Sequence, residues 1–250
     1  MPTTKPRIRL YVSYDLGAGA AVGLDRAQTH YVRTVMRASL GDRVALFNGR
    51  DGEWLAEIEG LGKGRCSLGV RERRRAQRSE PDLWLAFAPV KGARLDFIAQ
   101  KATELGVSRL MPVKTERTQV ARVNVDRLRA NAVEAAEQSE RLSVPRVESP
   151  VVLRDLLAEW PENRRLLLAD ESGGGAPIGA AVATAGEGKT WGVLVGPEGG
   201  FSAGELDRLR PMPFVTPVGL GPRVLRSDTA ALAALAVLQA VAGDWRAGRT

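Results

Sequence analysis

The side chains best placed to do chemistry in this chain are Arg223 and Arg226, because the loop around them is otherwise glycine, proline and aliphatic residues. A guanidinium stays protonated at any working pH, so it can stabilise negative charge that develops beside it or grip a phosphate. Their loop, Gly219-Leu-Gly-Pro-Arg223, follows the apolar run Phe214-Val-Thr-Pro-Val218 and leads into a helical pattern from Ser227. A little earlier the same pattern occurs: Trp191-Gly-Val-Leu-Val195 breaks at Gly196-Pro-Glu-Gly-Gly-Phe-Ser202, with Glu198 as its acid. Gly196, Gly199 and Gly200 allow close approach and unusual dihedrals. Ser202-Ala-Gly-Glu205 fits a capping box, so this loop ends at a helix N-terminus, where free N–H groups suit ligand oxygens. Two such loops side by side on a parallel sheet would line a pocket for a small cofactor with main-chain groups, beside positive charge.

The elements that must position these loops follow from the hydrophobic period. Residues 7–70 are β-rich: Arg7-Ile-Arg-Leu-Tyr-Val12 alternates, Arg43-Val-Ala-Leu-Phe47 runs into an Asn48-Gly49 turn, and Glu53-Trp-Leu-Ala-Glu-Ile58 resumes the alternation. Cys66-Ser-Leu-Gly-Val70 is a further strand. The segment His30–Arg37 is expected to form a short helix exposing Arg33 and Arg37 one turn apart. Arg71–Pro81, charged and without apolar period, is expected to be a linker. From residue 82 strands and helices alternate: strands at 83–87, 109–113, 165–169, 191–195 and 214–218, and helices at 93–105, 124–141, 177–185, from 202, and 227–242. That order indicates an α/β domain with a mostly parallel sheet. Asn124 is a candidate N-cap, and Gly106 a candidate C-cap.

Composition removes several classes of function. The chain has 250 residues, one histidine (His30) and one cysteine (Cys66), so an intramolecular disulfide is impossible and a thiolate/imidazole zinc site is nearly excluded. No stretch approaches the roughly 20 apolar residues of a membrane span, and the N-terminus lacks the apolar core of a signal peptide. A cytoplasmic protein is expected. The net charge of +7 is unevenly placed: residues 1–80 hold 15 Lys+Arg against 9 Asp+Glu, and the remainder 21 against 20. A basic N-terminal segment on a near-neutral body suggests a polyanion-gripping module, although a solubilising surface is the plainer account.

Several ordered segments resemble one family. Gly196-Pro-Glu-Gly-Gly-Phe-Ser202 with Leu220-Gly-Pro-Arg-Val-Leu-Arg-Ser-Asp-Thr-Ala230 looks like the signature pair of the RsmE-like 16S ribosomal RNA uridine-N3 methyltransferases, of the SPOUT class. His30-Tyr-Val-Arg-Thr-Val-Met-Arg37, Lys91-Gly-Ala-Arg-Leu-Asp96, Gln100-Lys-Ala-Thr-Glu-Leu-Gly-Val107 and Glu134-Ala-Ala-Glu-Gln-Ser-Glu-Arg141 resemble it in order and spacing. The resemblance implies a PUA-like RNA-binding barrel over residues 1–75 and a SPOUT domain with a C-terminal trefoil knot over 82–250. It implies S-adenosylmethionine held by Leu168, Val195, Gly196, Gly199, Gly200, Leu220, Gly221, Val224 and Leu225. Catalysis would fall to Arg226, Arg223 and Glu198. RNA would meet His30, Arg33, Arg37, Lys91, Arg94, Lys101, Arg117, Gln138 and Arg141. The implied partners are 16S ribosomal RNA in the small ribosomal subunit and a second copy of the chain, with no metal and no membrane. Asp228 departs from the family, where glutamate is the more familiar residue.

Plainer alternatives stand beside these assignments. Either arginine of the second loop could form a salt bridge with Glu198 or Asp228. Glu134, Gln138, Arg141, Lys101, Glu104 and Arg117 could wall the uridine site or form a surface network of ion pairs. Ala183-Thr-Ala-Gly-Glu-Gly-Lys-Thr190 imitates a Walker loop but has a helix before it and a strand after it, the reverse of what that motif needs. The activity that the resemblance implies is N3 methylation of a uridine in 16S ribosomal RNA. A different RNA methylation, such as ribose 2′-O transfer on transfer RNA, and a non-catalytic RNA-binding or assembly protein are the alternatives.

Overall fold

The computed structural model describes residues 6–185 and 190–247, which divide into two compact units. The first comprises Met1–Ser79 with Ala136–Val144, and the second Glu80–Ala135 with Pro145–Thr250. Residues 186–189 of the Walker-like segment lie outside the described residues.

The first unit is a five-stranded mixed sheet in the order β1-β3-β4-β5-β2. Its strands are β1 (Ile8–Tyr11), β2 (Ala21–Leu24), β3 (Arg43–Phe47), β4 (Glu53–Gly62) and β5 (Arg65–Arg75). Only β1 and β3 pair in parallel. Alternation puts Ile8, Leu10, Val22 and Leu24 on one face, where they join Val44, Leu46, Ile58, Leu68 and Val70 in a common core. Each fully buried aliphatic side chain contributes about 1.5–3 kcal/mol. Cys66 belongs to this core, and burial pushes its thiol above the usual range, away from reactivity.

Three expectations for this unit need correcting. Arg71–Arg75 is not linker but the second half of β5, paired with β4. Three of its arginines are matched from the neighbouring strand: Arg71 pairs with Glu57 and Glu59, while Arg74 and Arg75 reach the buried Glu53 at 3.0 and 2.6 Å. The His30–Arg37 segment is helical but irregular. A short α1 (Arg26–His30) runs into a π-helical turn at Tyr31–Val35, and Arg37 lies beyond it with φ +53°. Finally, Arg141 is not on the helix that precedes it. That helix ends at Gln138, Glu140 takes φ +63°, and Arg141 is buried. The Arg141 carbonyl accepts from Arg9, whose guanidinium also donates to the Ala136 carbonyl at 2.7 Å and lies 3.7 Å from the Phe47 ring centre. These contacts, with Phe47, Ala136 and Leu142 packed together, tie residues 136–144 to the first unit.

The second unit is an α/β sheet whose pairings are all parallel, in the order β11-β13-β10-β12-β6-β7-β8, with β9 also on β7. In chain order it contains β6 (Leu83–Phe87), α2 (Ala93–Glu104), β7 (Arg109–Lys114), α3 (Val125–Gln138), β8 (Arg146–Val147), β9 (Val151–Val152), α4 (Leu153–Ala158) and β10 (Arg164–Ala169). There follow β11 (Ala176–Pro177), α5 (Ile178–Ala185), β12 (Thr190–Val195), α6 (Ala203–Leu209), β13 (Val215–Gly219) and α7 (Ser227–Ala242). Every strand and helix expected here from the period is present. Asn124 Oδ1 accepts from the Arg127 N–H at 3.0 Å, and Gly106 takes φ +85° at the end of α2. The elements not anticipated are the short ones, β8, β9, β11 and α4, too brief to show a period.

Candidate functional site: a main-chain cavity at three strand ends

Strands β13, β10 and β12 are neighbours, and their C-terminal ends meet in one row. Ala169 of β10 pairs with Val195 of β12 on one side and Val218 of β13 on the other. These three residues line a cavity of about 280 Å³. The position is the usual one for a ligand in a parallel sheet, outside the carboxyl ends of the strands. One residue earlier, Leu168 points the opposite way, as the period of two requires, and packs in the core with Leu194 and Leu166. Leu168 is thus a core residue, and its neighbour Ala169 is the one at the wall.

The first loop leaves β12 and is held from four sides. Gly200 takes φ +65°, and a Cβ there would collide with the Glu171 carboxylate. Ser202 and Glu205 form the expected capping box at the start of α6. The buried Glu205 also accepts from the Glu116 N–H at 2.9 Å, which joins the loop after β7 to this one. Arg117 donates to the Gly199 carbonyl at 2.7 Å. Gly199 itself is not part of the cavity wall, whereas Gly196, Pro197, Glu198, Gly200 and Phe201 are.

The second loop, after β13, supplies Gly219, Leu220, Gly221, Pro222, Arg223, Val224 and Leu225 to the wall. Gly221 takes φ +103°, a conformation that side chains disfavour. At the start of α7 the buried Ser227 donates its hydroxyl to the Gly196 carbonyl, so one hydrogen bond fastens the two loops together. The sequence reading did not single out Ser227, because its partner lies on another strand end.

A third loop, after β10, was also missed. Asp170, Glu171 and Gly173 line the cavity. Asp170 is buried and receives the Ser172 hydroxyl at 2.6 Å and the Arg210 guanidinium at 2.8 Å. Burial alone would raise its carboxyl, but the Ser172 and Arg210 bonds outweigh that and hold it below the ordinary carboxylate range.

The charged residues expected at the site divide into two groups. Arg223 is exposed at the cavity wall, and Arg226 is exposed at the N-cap of α7, beside the wall but not in it. Neither forms a salt bridge with Glu198 or Asp228. Glu198 is paired with Arg94 at 2.8 Å, and the Asp228 carboxylate accepts from the Thr229 N–H. The other group makes bonds within the chain or is buried. Lys101 pairs with Glu104 at 2.7 Å, Arg117 holds Gly199, and Arg141 is buried. Lys91 and Gln138 are exposed, as are His30, Arg33 and Arg37 in the first unit. No group of three or more His, Cys, Asp or Glu able to hold a metal occurs among the described residues, nor any helix long and apolar enough to cross a membrane.

Residues 77–239 match the family described as RNA methyltransferase domain, and residues 24–70 match the RNA methyltransferase PUA domain. The ribosomal RNA small subunit methyltransferase E of Rickettsia conorii is 34% identical over 91% of this chain and 93% of its own. Its counterpart in Bacillus subtilis is 32% identical over 84% and 86%. Among solved structures, a ribosomal RNA small subunit methyltransferase E from Neisseria gonorrhoeae bound to S-adenosyl methionine superimposes with a TM-score of 0.86 at 28% identity, covering 95% of this chain and 99% of that one. A putative methyltransferase from Legionella pneumophila in complex with the bound cofactor SAM gives 0.84 at 32% identity, covering 95% and 98%. With relatives aligned along nine-tenths of its length and a family match spanning most of the second unit, the chain belongs to the ribosomal RNA small subunit methyltransferase E family.

Proposed function

We propose that this protein transfers a methyl group from S-adenosylmethionine to N3 of a uridine in 16S ribosomal RNA of the small subunit. The observation that carries the reading is the cavity at Ala169, Val195 and Val218, walled by three loops on adjacent parallel strands.

The residues fit that cofactor. Main-chain N–H and C=O groups of the loops at 196–200 and 219–221 suit the edges of an adenine and the hydroxyls of a ribose. Leu220, Val224 and Leu225 offer apolar contact to flat rings. Glu171 and Glu198 place carboxylates at the wall, complementary to a cationic ligand. When bound, S-adenosylmethionine supplies an electrophilic methyl group on a sulfonium.

The protein's own part is positioning and charge. Loss of the N3 proton of uridine leaves negative charge on O2 and O4. Arg226 or Arg223, both without an ion-pair partner among the described residues, can meet that charge with a guanidinium. Arg94 keeps Glu198 turned to the wall. The exposed Arg33 and Arg37 of the first unit, with His30 beside them, and Lys91 on the second, hold the RNA. A homodimer, a C-terminal trefoil knot and a cytoplasmic location belong to the same proposal; family membership supports them.

The test is a methylation assay on small subunits from a strain lacking the gene, with the modified base mapped. Methyl on N3 of one uridine is the expected result. Methyl on a ribose 2′-oxygen overturns the base assignment. Calorimetry that detects no S-adenosylmethionine binding overturns the enzymatic reading and leaves an RNA-binding protein.

A further inference from the structure

The segment Tyr31–Leu40 combines two uncommon backbone features with an uncommon surface. The π-helical turn at Tyr31–Val35 is closed by the Met36 N–H to the Tyr31 carbonyl at 2.9 Å, and the Ala38 N–H reaches back to the Val32 carbonyl at 3.0 Å. Such turns carry one residue more than an α-turn and are frequent at functional sites. Arg37 then takes φ +53° at the residue after the helix cap, the place where glycine is the usual occupant. An arginine there is disfavoured by its own Cβ, so the position costs the fold some stability.

The inner side of this segment is anchored, and the outer side is not. Val32 is fully buried, and Tyr31, Met36 and Ala38 pack on the core of the first unit. Outward go Arg33, Val35, Arg37 and Leu40. Val35 and Leu40 are 59% and 64% exposed. Neither arginine has an ion-pair partner among the described residues, and Asp42, the acid nearest Arg37 in sequence, accepts the Ser39 N–H at 2.8 Å. A lone exposed aliphatic residue needs no explanation. Two of them, interleaved with two unpaired arginines on a backbone held in an unfavourable shape, do.

We propose that this segment is a preformed wedge for an unpaired stretch of RNA, in which Val35 and Leu40 press on unstacked bases while Arg33 and Arg37 hold the flanking phosphates. The proposal rests on the RNA-methylating function above and adds how the substrate is read. Charge complementarity selects a polyanion. The aliphatic pair selects bases that are free to leave a stack over a closed duplex, whose narrow major groove side chains cannot enter. The π-turn and the left-handed Arg37 set the spacing before RNA arrives, which limits the ordering cost of binding.

The experiment measures binding of the full-length protein to small-subunit RNA across a salt series, with thermal unfolding alongside. Val35→Ser with Leu40→Ser is expected to weaken binding roughly tenfold at every salt concentration, the loss of about one base contact, with the salt slope unchanged. Arg37→Gly is expected to make that slope shallower by about 0.7–0.9 and to raise the unfolding midpoint by roughly 2–4 °C, since glycine accepts the conformation freely. Unchanged RNA affinity in the serine variant overturns the wedge, as does a lower midpoint for Arg37→Gly. A serine variant that loses only its affinity for phosphatidylserine vesicles, or that dissociates copies of the chain in sedimentation, assigns the patch to a membrane or a second copy instead. If the unaltered protein methylates no RNA, the function itself fails; if it does and the variants are silent, only the wedge fails.

Discussion

The two units approach a ligand in opposite ways. In the second, the cavity is made of main chain: three loops, each with one wall glycine at positive φ (Gly173, Gly200 and Gly221), and a serine hydroxyl joining one loop to another. In the first, the surface assigned to RNA is made of side-chain charge on an exposed segment. A cavity of the first kind recognises one small molecule by shape and hydrogen bonding, and a single misplaced Cβ ruins it. A surface of the second kind recognises a polyanion and weakens gradually as charges are removed or screened.

Mutations should expose that contrast, and the largest effect should fall where neither kind of recognition is involved. Arg226→Ala is expected to lower turnover on the order of 10²–10³-fold while calorimetric affinity for S-adenosylmethionine stays within a few-fold. Unaltered turnover would remove Arg226 from the mechanism and leave Arg223 as the cation at the reacting base. Gly200→Ala should cost about 2 kcal/mol, roughly thirtyfold in cofactor affinity, through its φ, while the exposed Glu171 carboxylate swings aside. Removal of the hydroxyl in Ser227→Ala leaves the Gly196 carbonyl short of a donor. About tenfold of cofactor affinity should go with it, and none of the RNA affinity. If RNA binding fell equally, the two modes would not be separable.

On the other side of the comparison, Arg33→Ala with Arg37→Ala should leave cofactor binding intact and make the salt slope of RNA binding shallower by roughly 1.4–1.8. A slope that did not move would place the grip elsewhere. The smallest effect concerns pH. The Asp170 carboxyl is held below its ordinary value, so its stabilising contribution is complete above roughly pH 3.9 and is lost as pH falls from there through the folded-state value. Asp170→Asn should therefore unfold at a lower temperature than the parent at pH 7, and the gap should close in acid. A gap that persisted at low pH would mean that packing, not ionisation, sets the role of Asp170.

Legibility in the sequence followed the range of the interaction. Helix α2 and its glycine cap, Asn124 capping α3, and Ser202 with Glu205 at α6 all depend on residues a few positions apart, and all were readable. Arg71–Arg75 read as linker because its acidic partners, Glu53, Glu57 and Glu59, stand on the neighbouring strand. The third loop escaped notice for a related reason. Asp170-Glu-Ser-Gly-Gly-Gly175 carries no family signature, and only the placement of β10 between β12 and β13 makes it a cavity wall. Arg94, Lys101 and Arg117 were assigned to RNA on type and order. Their nearest acceptors, Glu198, Glu104 and the Gly199 carbonyl, lie within the second unit.

By itself, the sequence determined the alternation of strand and helix, the two glycine loops and the uneven charge, because periodicity, backbone freedom and net charge are local or additive properties. The tertiary structure decided which arginines remain unpaired among the described residues, that Ala169 and not Leu168 lines the cavity, and that Ser227 joins the loops. Those outcomes depend on strand order and side-chain direction across the sheet, which bring together groups far apart in the chain.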